Sequence, residues 1–387
     1  MAGEQRTAGA GLATLEDAAR AATPSALEPR EEIEREIREL LDRRAARAAA
    51  YGPTYAEVWE AASRCAQGGK LLRPRLLVDA FDALAAPQLR GSERRESALR
   101  IAAAIEILHF SFLLHDDVID EDLLRRGTPN LIGELLRRQE AVDGDGQAPR
   151  GGAGGPLHWA RSSGILVGDA MLSLVHQVFA REPLPEELRL RLLDLLDHTI
   201  TESIVGECAD VGLSDGIMPA ELSAVLEMTR LKTATYTFEL PLRAAAVLAG
   251  AVPRTETAIA AIARRFGVAF QLQDDLLSAF SSSDQHGKDP FSDFREGKET
   301  AIIAYARMTS AWPGIEPRFG AADFTDRDGA AIRAQLVACG AEEFIRSLVD
   351  EHLRAALELV STTDGALPPA LVDRLLRLVE SLEKRRF

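Results

Sequence analysis

Apolar residues recur at three- and four-residue steps along almost the whole chain. Ile33, Ile37, Leu40 and Leu41 set the period early, and Leu371, Leu375, Leu376, Val379 and Leu382 repeat it late. That spacing lines one face of a helix. Alternating β-branched runs, the mark of half-buried strands, are nearly absent. The pattern predicts an all-α protein: a single large bundle of ten or more helices, spanning residues 29–387. Residues 1–28 hold no sustained apolar period and are expected to form a disordered, mobile tail. A second interruption, 142–156, contains Gly144, Gly146, Gly151, Gly152, Gly154 and Gly155. A phosphate-cradling loop would need a preceding strand and a following Lys-Ser/Thr. Lacking both, the insert is expected to be a flexible surface loop.

Composition supports helices and narrows the partners. Aromatic residues make up only 5% of the chain, and Ala and Leu dominate. The 387 residues carry 60 acidic and 45 basic side chains, a formal charge of -15. Such a balance argues against nucleic acid, whose phosphates demand a basic face. No uninterrupted run of 18 apolar residues occurs, so no membrane-spanning helix is expected. Met1 to Thr14 has no apolar signal core, and the default location is the cytoplasm. Cys65, Cys208 and Cys339 show no metal-ligand spacing and are expected to be buried or inert thiols, without a disulfide.

Two Asp-rich segments carry the candidate chemistry. In the first, an apolar run from Leu108 leads into His115-Asp116-Asp117-Val118-Ile119-Asp120. Asp116 and Asp120 are four apart and share a helix face, where unpaired carboxylates would repel. Mg²⁺ suits such a pair, because it takes one or two carboxylates and completes its shell with water and substrate phosphates. An acidic surface helix end and a His115-Asp116 metal doublet are the competing readings. The second segment, Phe270-Gln271-Leu272-Gln273-Asp274-Asp275, has Ser278 at the corresponding fourth position. Two such helices facing each other would need an anionic ligand, and a diphosphate fits.

Basic residues flank both segments. Gly68-Gly69-Lys70-Leu71-Leu72-Arg73-Pro74 precedes the first, Arg125-Arg126-Gly127 follows it, and Lys288 and Lys298 follow the second. Arg offers a fork to phosphate and Lys a point charge.

Seven motifs in order then carry a family resemblance between Tyr55 and Leu359. They are GGKLLRP (68–74), HDDVID (115–120) with RRGTPN (125–130), SGILVGDAML (163–172), GECADV (206–211), KTATYTF (232–238), FQLQDD (270–275) and GKDPFSDFREGKET (287–300). The sequence resembles a trans-isoprenyl diphosphate synthase of the polyprenyl synthetase family. The resemblance implies an isoprenoid synthase fold around a central cavity, a homodimer, and a site holding three Mg²⁺ ions. It implies condensation of isopentenyl diphosphate with an allylic diphosphate. Asp116, Asp120 and Asp274 would ligate metal, with Asp117 and Asp275 supporting through water or indirect contacts. Arg125, Lys232, Lys288 and Lys298 would neutralise the allylic diphosphate, and Lys70, Arg73, His109 and Arg126 would hold isopentenyl diphosphate. The Lys232 carbonyl, the Thr233 hydroxyl and Gln271 would face the allylic cation. No protein general base is then required.

Product length becomes a question of depth. One helix turn rises about 5.4 Å, close to one isoprene unit. Phe112 and Ser111, four and five residues before Asp116, are the expected cavity floor. Short-chain members of the family this sequence resembles often carry an aromatic where Ser111 stands, so the resemblance implies a floor deeper than farnesyl and a twenty-carbon geranylgeranyl product, with farnesyl or longer products as alternatives. A class I terpene cyclase and a non-catalytic partner subunit are the rival readings. The first has no use for GGKLLRP and RRGTPN, and the second is favoured only by Ser278.

Overall fold

The computed structural model describes residues 29–125, 127–143, 154–280, 291–363 and 365–384. Its helices are, in chain order, α1 (Pro29–Ala48), α2 (Pro53–Cys65), α3 (Leu72–Leu84), α4 (Glu93–Ile119), α5 (Leu131–Asp143), α6 (Gly155–Arg181), α7 (Glu186–Ser214) and α8 (Leu222–Thr229). After a π-helical segment (Arg230–Glu239) come α9 (Leu240–Ala249), α10 (Pro253–Phe280), α11 (Ser292–Glu296), α12 (Ala301–Arg307), α13 (Trp312–Ile315), α14 (Asp326–Ala338), α15 (Ala341–Ser361) and α16 (Pro369–Glu383). The all-α expectation holds. Among the described residues the one sheet is a two-residue hairpin, β1 (Leu124–Arg125) with β2 (Thr128–Pro129).

The expected tail, 1–28, lies outside the described residues, as does the middle of the glycine-rich insert. The insert is nevertheless shorter than 142–156, because α5 runs to Asp143 and α6 begins at Gly155.

Helix α4 is the axis of the bundle. Ala98, Ile101, Ala102, Ala103, Ala104, Ile105 and Leu108 bury it on all sides, which only a central helix sustains. The alanines let α3 and α6 approach closely. By length and composition α4 and α6 are each apolar enough to cross a membrane, although neither holds an uninterrupted apolar run of that length. In α4, 72% of the apolar window is buried inside the fold, as in a core helix; in α6 the share is 50%.

Residues 222–249 run as one continuous helix whose middle widens into the π segment. Glycines on both neighbours make room for it. A Cβ on Gly206 of α7 would collide with the Lys232 backbone nitrogen and lie 2.6 Å from its Cα. One on Gly267 of α10 would collide with the Ala234 side chain and lie 2.6 Å from its Cα. The wide turn is therefore clamped between α7 and α10, and π turns of this kind concentrate at functional sites. The cavity it faces has a volume of about 2130 Å³.

All three cysteines are free, as expected. Cys208, however, is exposed rather than buried, because α7 turns it outward at the cavity rim.

Candidate active site

Helix α4 ends in carboxylates, which is the unfavourable end of a helix dipole for negative charge. Compensation comes from the hairpin and from the π segment. Arg125, held on β1 by the tight turn through Gly127 (φ 74°), donates from Nη2 to Asp117 Oδ1 at 2.6 Å. The same nitrogen reaches Asp116 Oδ2 at 3.3 Å. Asn130 fixes the hairpin's far end: its Nδ2 donates to the Asp122 carbonyl at 2.8 Å, and its Oδ1 accepts from Gly133 N at 2.9 Å. Lys232 Nζ lies 3.1 Å from Asp116, 2.6 Å from Asp210 and 3.0 Å from Glu207.

These charges set the protonation states. Burial alone would raise the Asp116 carboxyl, but Lys232, Lys298 and Arg125 hold it down at about 2. Asp120, which caps α4, is pushed up to about 6 by burial and by the charge of Asp116. Burial raises Asp117 despite Arg125, and raises Glu207 despite Lys232. Burial and Lys232 would lower Lys298, but Asp210, Asp293 and Asp116 raise it. Lys232 is likewise kept firmly protonated, because Asp116, Asp210 and Glu207 outweigh its burial.

Helix α10 brings the second carboxylates to the same cavity. Asp274, Asp275 and Ser278 all line it with Asp116. Gln271 Nε2 donates to Asp275 Oδ1 at 3.0 Å, yet burial still pushes Asp275 up to about 7. Gln271 thus serves Asp275 here, and both Gln271 and Thr233 line the cavity.

The cavity's other end is built from GGKLLRP. Gly68 (φ 94°), Gly69 (φ 81°) and Leu71 (φ 51°) place three residues in the left-handed region within four positions. Two of them are glycine, the residue that adopts it without strain. Lys70 is exposed at the rim. Arg73 points inward, donating from Nη2 to Thr237 Oγ1 at 2.9 Å. Its Nε is buried with no hydrogen-bond partner among the described residues, a donor placed for an anion. His109 stacks on Tyr236, with centroids 5.7 Å apart.

Of the expected site residues, Lys70, Arg73, His109, Phe112, Asp116, Asp117, Arg125, Lys232, Thr233, Gln271, Asp274, Asp275 and Lys298 line one cavity. Asp120, at the end of α4, is not among the residues that line the cavity, although the charges of Asp116, Lys298 and Lys232 reach it; Arg126 and Lys288 fall outside the described residues. Ser111 departs from expectation. It is fully buried and donates to the Gly168 carbonyl of α6 at 2.9 Å, so it joins two helices instead of flooring the cavity. Asp117 is occupied by Arg125, which fits a supporting role. Sequence reasoning missed Glu207 and Asp210, the anchors of Lys232. Their three-residue spacing within GECADV, on one face of α7, was a usable signal. It also missed Asp293 and Tyr236.

The donor set suits a hard divalent cation. All its ligands would be carboxylate oxygens. Carboxylates outnumber cations there, and Asp210 Oδ1 is buried without a hydrogen-bond partner among the described residues. Among the described residues no group of three or more His, Cys, Asp or Glu side chains is arranged to hold a metal ion by itself. A cation at this place therefore needs further oxygens, as from water or a phosphate.

The burial of Asp275 has a measurable consequence. Asp275 sits at about 7 against an ordinary 3.8, so its stabilising contribution is complete below pH 3.8 and lost as pH rises through 7. A shift of that size corresponds to about 4 kcal/mol. The melting temperature of the metal-free protein should fall between about pH 4 and pH 7 and level off above it. Mg²⁺ with inorganic diphosphate should restore it at pH 8, and Asp275→Asn should flatten the slope. A pH-independent melt unaffected by both additions would refute this charge assignment.

Comparison with known proteins follows the same lines. The Polyprenyl synthetase family model matches residues 56–312, roughly two thirds of the chain. The chain is 28% identical over 291 residues to a geranylgeranyl diphosphate synthase of Methanosarcina mazei, covering 75% of this chain and 79% of that one. It is 31% identical over 242 residues to a geranylfarnesyl diphosphate synthase of Aeropyrum pernix, covering 62% and 66%. Its fold superposes with a TM-score of 0.83 on the crystal structure of geranylgeranyl pyrophosphate synthase from Corynebacterium glutamicum, complexed with isoprenyl diphosphate and magnesium. That pair is 28% identical over 92% of this chain and 98% of the other.

Proposed function

Because the chain belongs to the polyprenyl synthetase family and is a prenyltransferase, we propose that it condenses isopentenyl diphosphate with an allylic diphosphate to make geranylgeranyl diphosphate, with Mg²⁺ as cofactor. The observation that carries this reading is one cavity with two anion-seeking ends. Arg125, Lys232 and Lys298 stand beside the Asp-rich helices, while Lys70 and Arg73 stand at the glycine loop.

The division of labour follows from charge. The carbon–oxygen bond of the allylic substrate breaks heterolytically, and its electron pair leaves with diphosphate. Lys232, Lys298 and Arg125 are fixed where that negative charge grows, and fixed cations in a dry site stabilise it most. Magnesium, held through Asp116, Asp120 and Asp274, would offset the charge of the leaving diphosphate. The Lys232 carbonyl, Thr233 and Gln271 present oxygen dipoles to the allylic cation. Arg73, Lys70 and His109 hold the isopentenyl diphosphate head group so that its double bond faces that cation. The new carbon–carbon bond forms from the double-bond pair, and the proton lost on elimination passes to the departed diphosphate. A homodimer belongs to the proposal, supported by the exposed Ile165 and Leu166 of α6 and Ile204 and Val205 of α7.

The test is turnover by the purified chain with Mg²⁺, farnesyl diphosphate and labelled isopentenyl diphosphate. A labelled twenty-carbon diphosphate is expected. A folded sample that incorporates no label would overturn the reading and favour a cyclase or a partner subunit. Phe112 lines the cavity one turn before Asp116, so it is the floor in this proposal. Phe112→Ala should lengthen the product by at least one isoprene unit, and unchanged chain length on chromatography would remove Phe112 from that role.

A further inference from the structure

One ring touches three side chains that serve different ends of the cavity. The Arg73 guanidinium carbon lies 4.7 Å above the centroid of Tyr236. His109 stacks on it, 5.7 Å away and tilted by 25°. Phe112 meets it edge-on at 5.2 Å and 73°. The ring is 8% exposed and lines the cavity from the clamped π segment. Its neighbour Thr237, fully buried, accepts the hydrogen bond from Arg73.

We propose that Tyr236 is a positioning residue that couples the binding of isopentenyl diphosphate to the depth of the cavity. The inference rests on the reading given under Proposed function. The ring face orients the Arg73 guanidinium, which among the described residues is otherwise held by one neutral hydroxyl, that of Thr237. The ring edge is in turn held by Phe112. Removing Phe112 opens space beside the ring, and a ring beside a cavity relaxes into it. Arg73 then loses its flat support, and the head group loses a pre-set donor. Substitutions that deepen the cavity therefore carry a penalty in head-group affinity.

A double-mutant cycle on the KM for isopentenyl diphosphate tests this. Phe112→Ala should raise that KM about fivefold and Tyr236→Leu about tenfold, in the range of lost cation–π support. In Tyr236→Leu, which leaves the floor in place, the KM for the allylic primer should stay within twofold. Phe112→Ala made in the Tyr236→Leu background should raise the KM no further, because the relay is already cut. Tyr236→Phe restores the ring and should recover most of the loss. Equal effects of Phe112→Ala in both backgrounds would overturn the coupling, as would an unchanged KM in either single variant. Circular dichroism, and for Tyr236→Leu also the primer KM, identify a variant that has failed to fold. For Tyr236→Leu, Tyr236→Phe then supplies the comparison: recovery upholds the ring's role, and a KM as poor as that of Tyr236→Leu overturns it. If the unsubstituted chain incorporates no isopentenyl diphosphate, the prenyl-transfer reading fails and this proposal falls with it.

Discussion

Asp116→Asn should lower turnover by on the order of 10³-fold while leaving the fold intact. A single preorganised polar group at a site of developing charge is worth about 10²–10³ in rate. Asp116 has two such roles, because it is ionised across the working pH range and anchors both Lys232 and Arg125. The neutral amide keeps the shape and loses the charge. Stability should change little, because Lys232 keeps Asp210 and Glu207, and Arg125 keeps Asp117. Asp120 is also relieved of a like charge. Steady-state kinetics beside a thermal melt checks both halves. Turnover within tenfold of the parent chain would show that Asp116 lies outside the reacting centre.

Gly206→Ala should act through the backbone. Its new methyl group would meet main-chain atoms of Leu231 and Lys232, which cannot rotate aside. Either α7 or the π segment must move. Overpacking of this kind costs about 1–3 kcal/mol, which lowers the melting temperature by roughly 5 °C. The same shift draws Lys232 off Asp116, and a misplacement near 1 Å costs about 10²-fold in rate. Gly91→Ala is the control, since nothing lies within 4 Å of the Cβ it would add. If Gly206→Ala melts and turns over like Gly91→Ala, the clamp has no mechanical meaning.

Local patterns went far with this chain because its chemistry sits at helix ends. Asp116 with Asp120 closes an apolar run, Asp274 with Asp275 interrupts another in the last two turns of α10, and basic residues follow both in sequence. What stayed illegible was tertiary. Ser111 and Phe112 are neighbours, and about 100° of helix rotation separates a residue facing α6 from one facing the cavity. Spacing alone could not say which side α6 would take. Tyr236 in an apolar run reads as ordinary core. Its contacts with Arg73, His109 and Phe112 come from α3 and α4, more than 120 residues away by chain order. The π geometry is equally hidden, since a period of 3.6 assumes the helix it departs from.

The wide turn also limits how this site could be transplanted. KTATYTF looks like a compact cassette of seven residues. Its shape, however, depends on the missing side chains at Gly206 and Gly267, contributed by two other helices. Grafted into a bundle with alanine at either place, the same seven letters would close into a regular helix. Lys232 and Tyr236 would then point in different directions from the ones described. The unit of inheritance here is the three-helix sandwich and not the string, so a scaffold designer must copy two absences along with the motif.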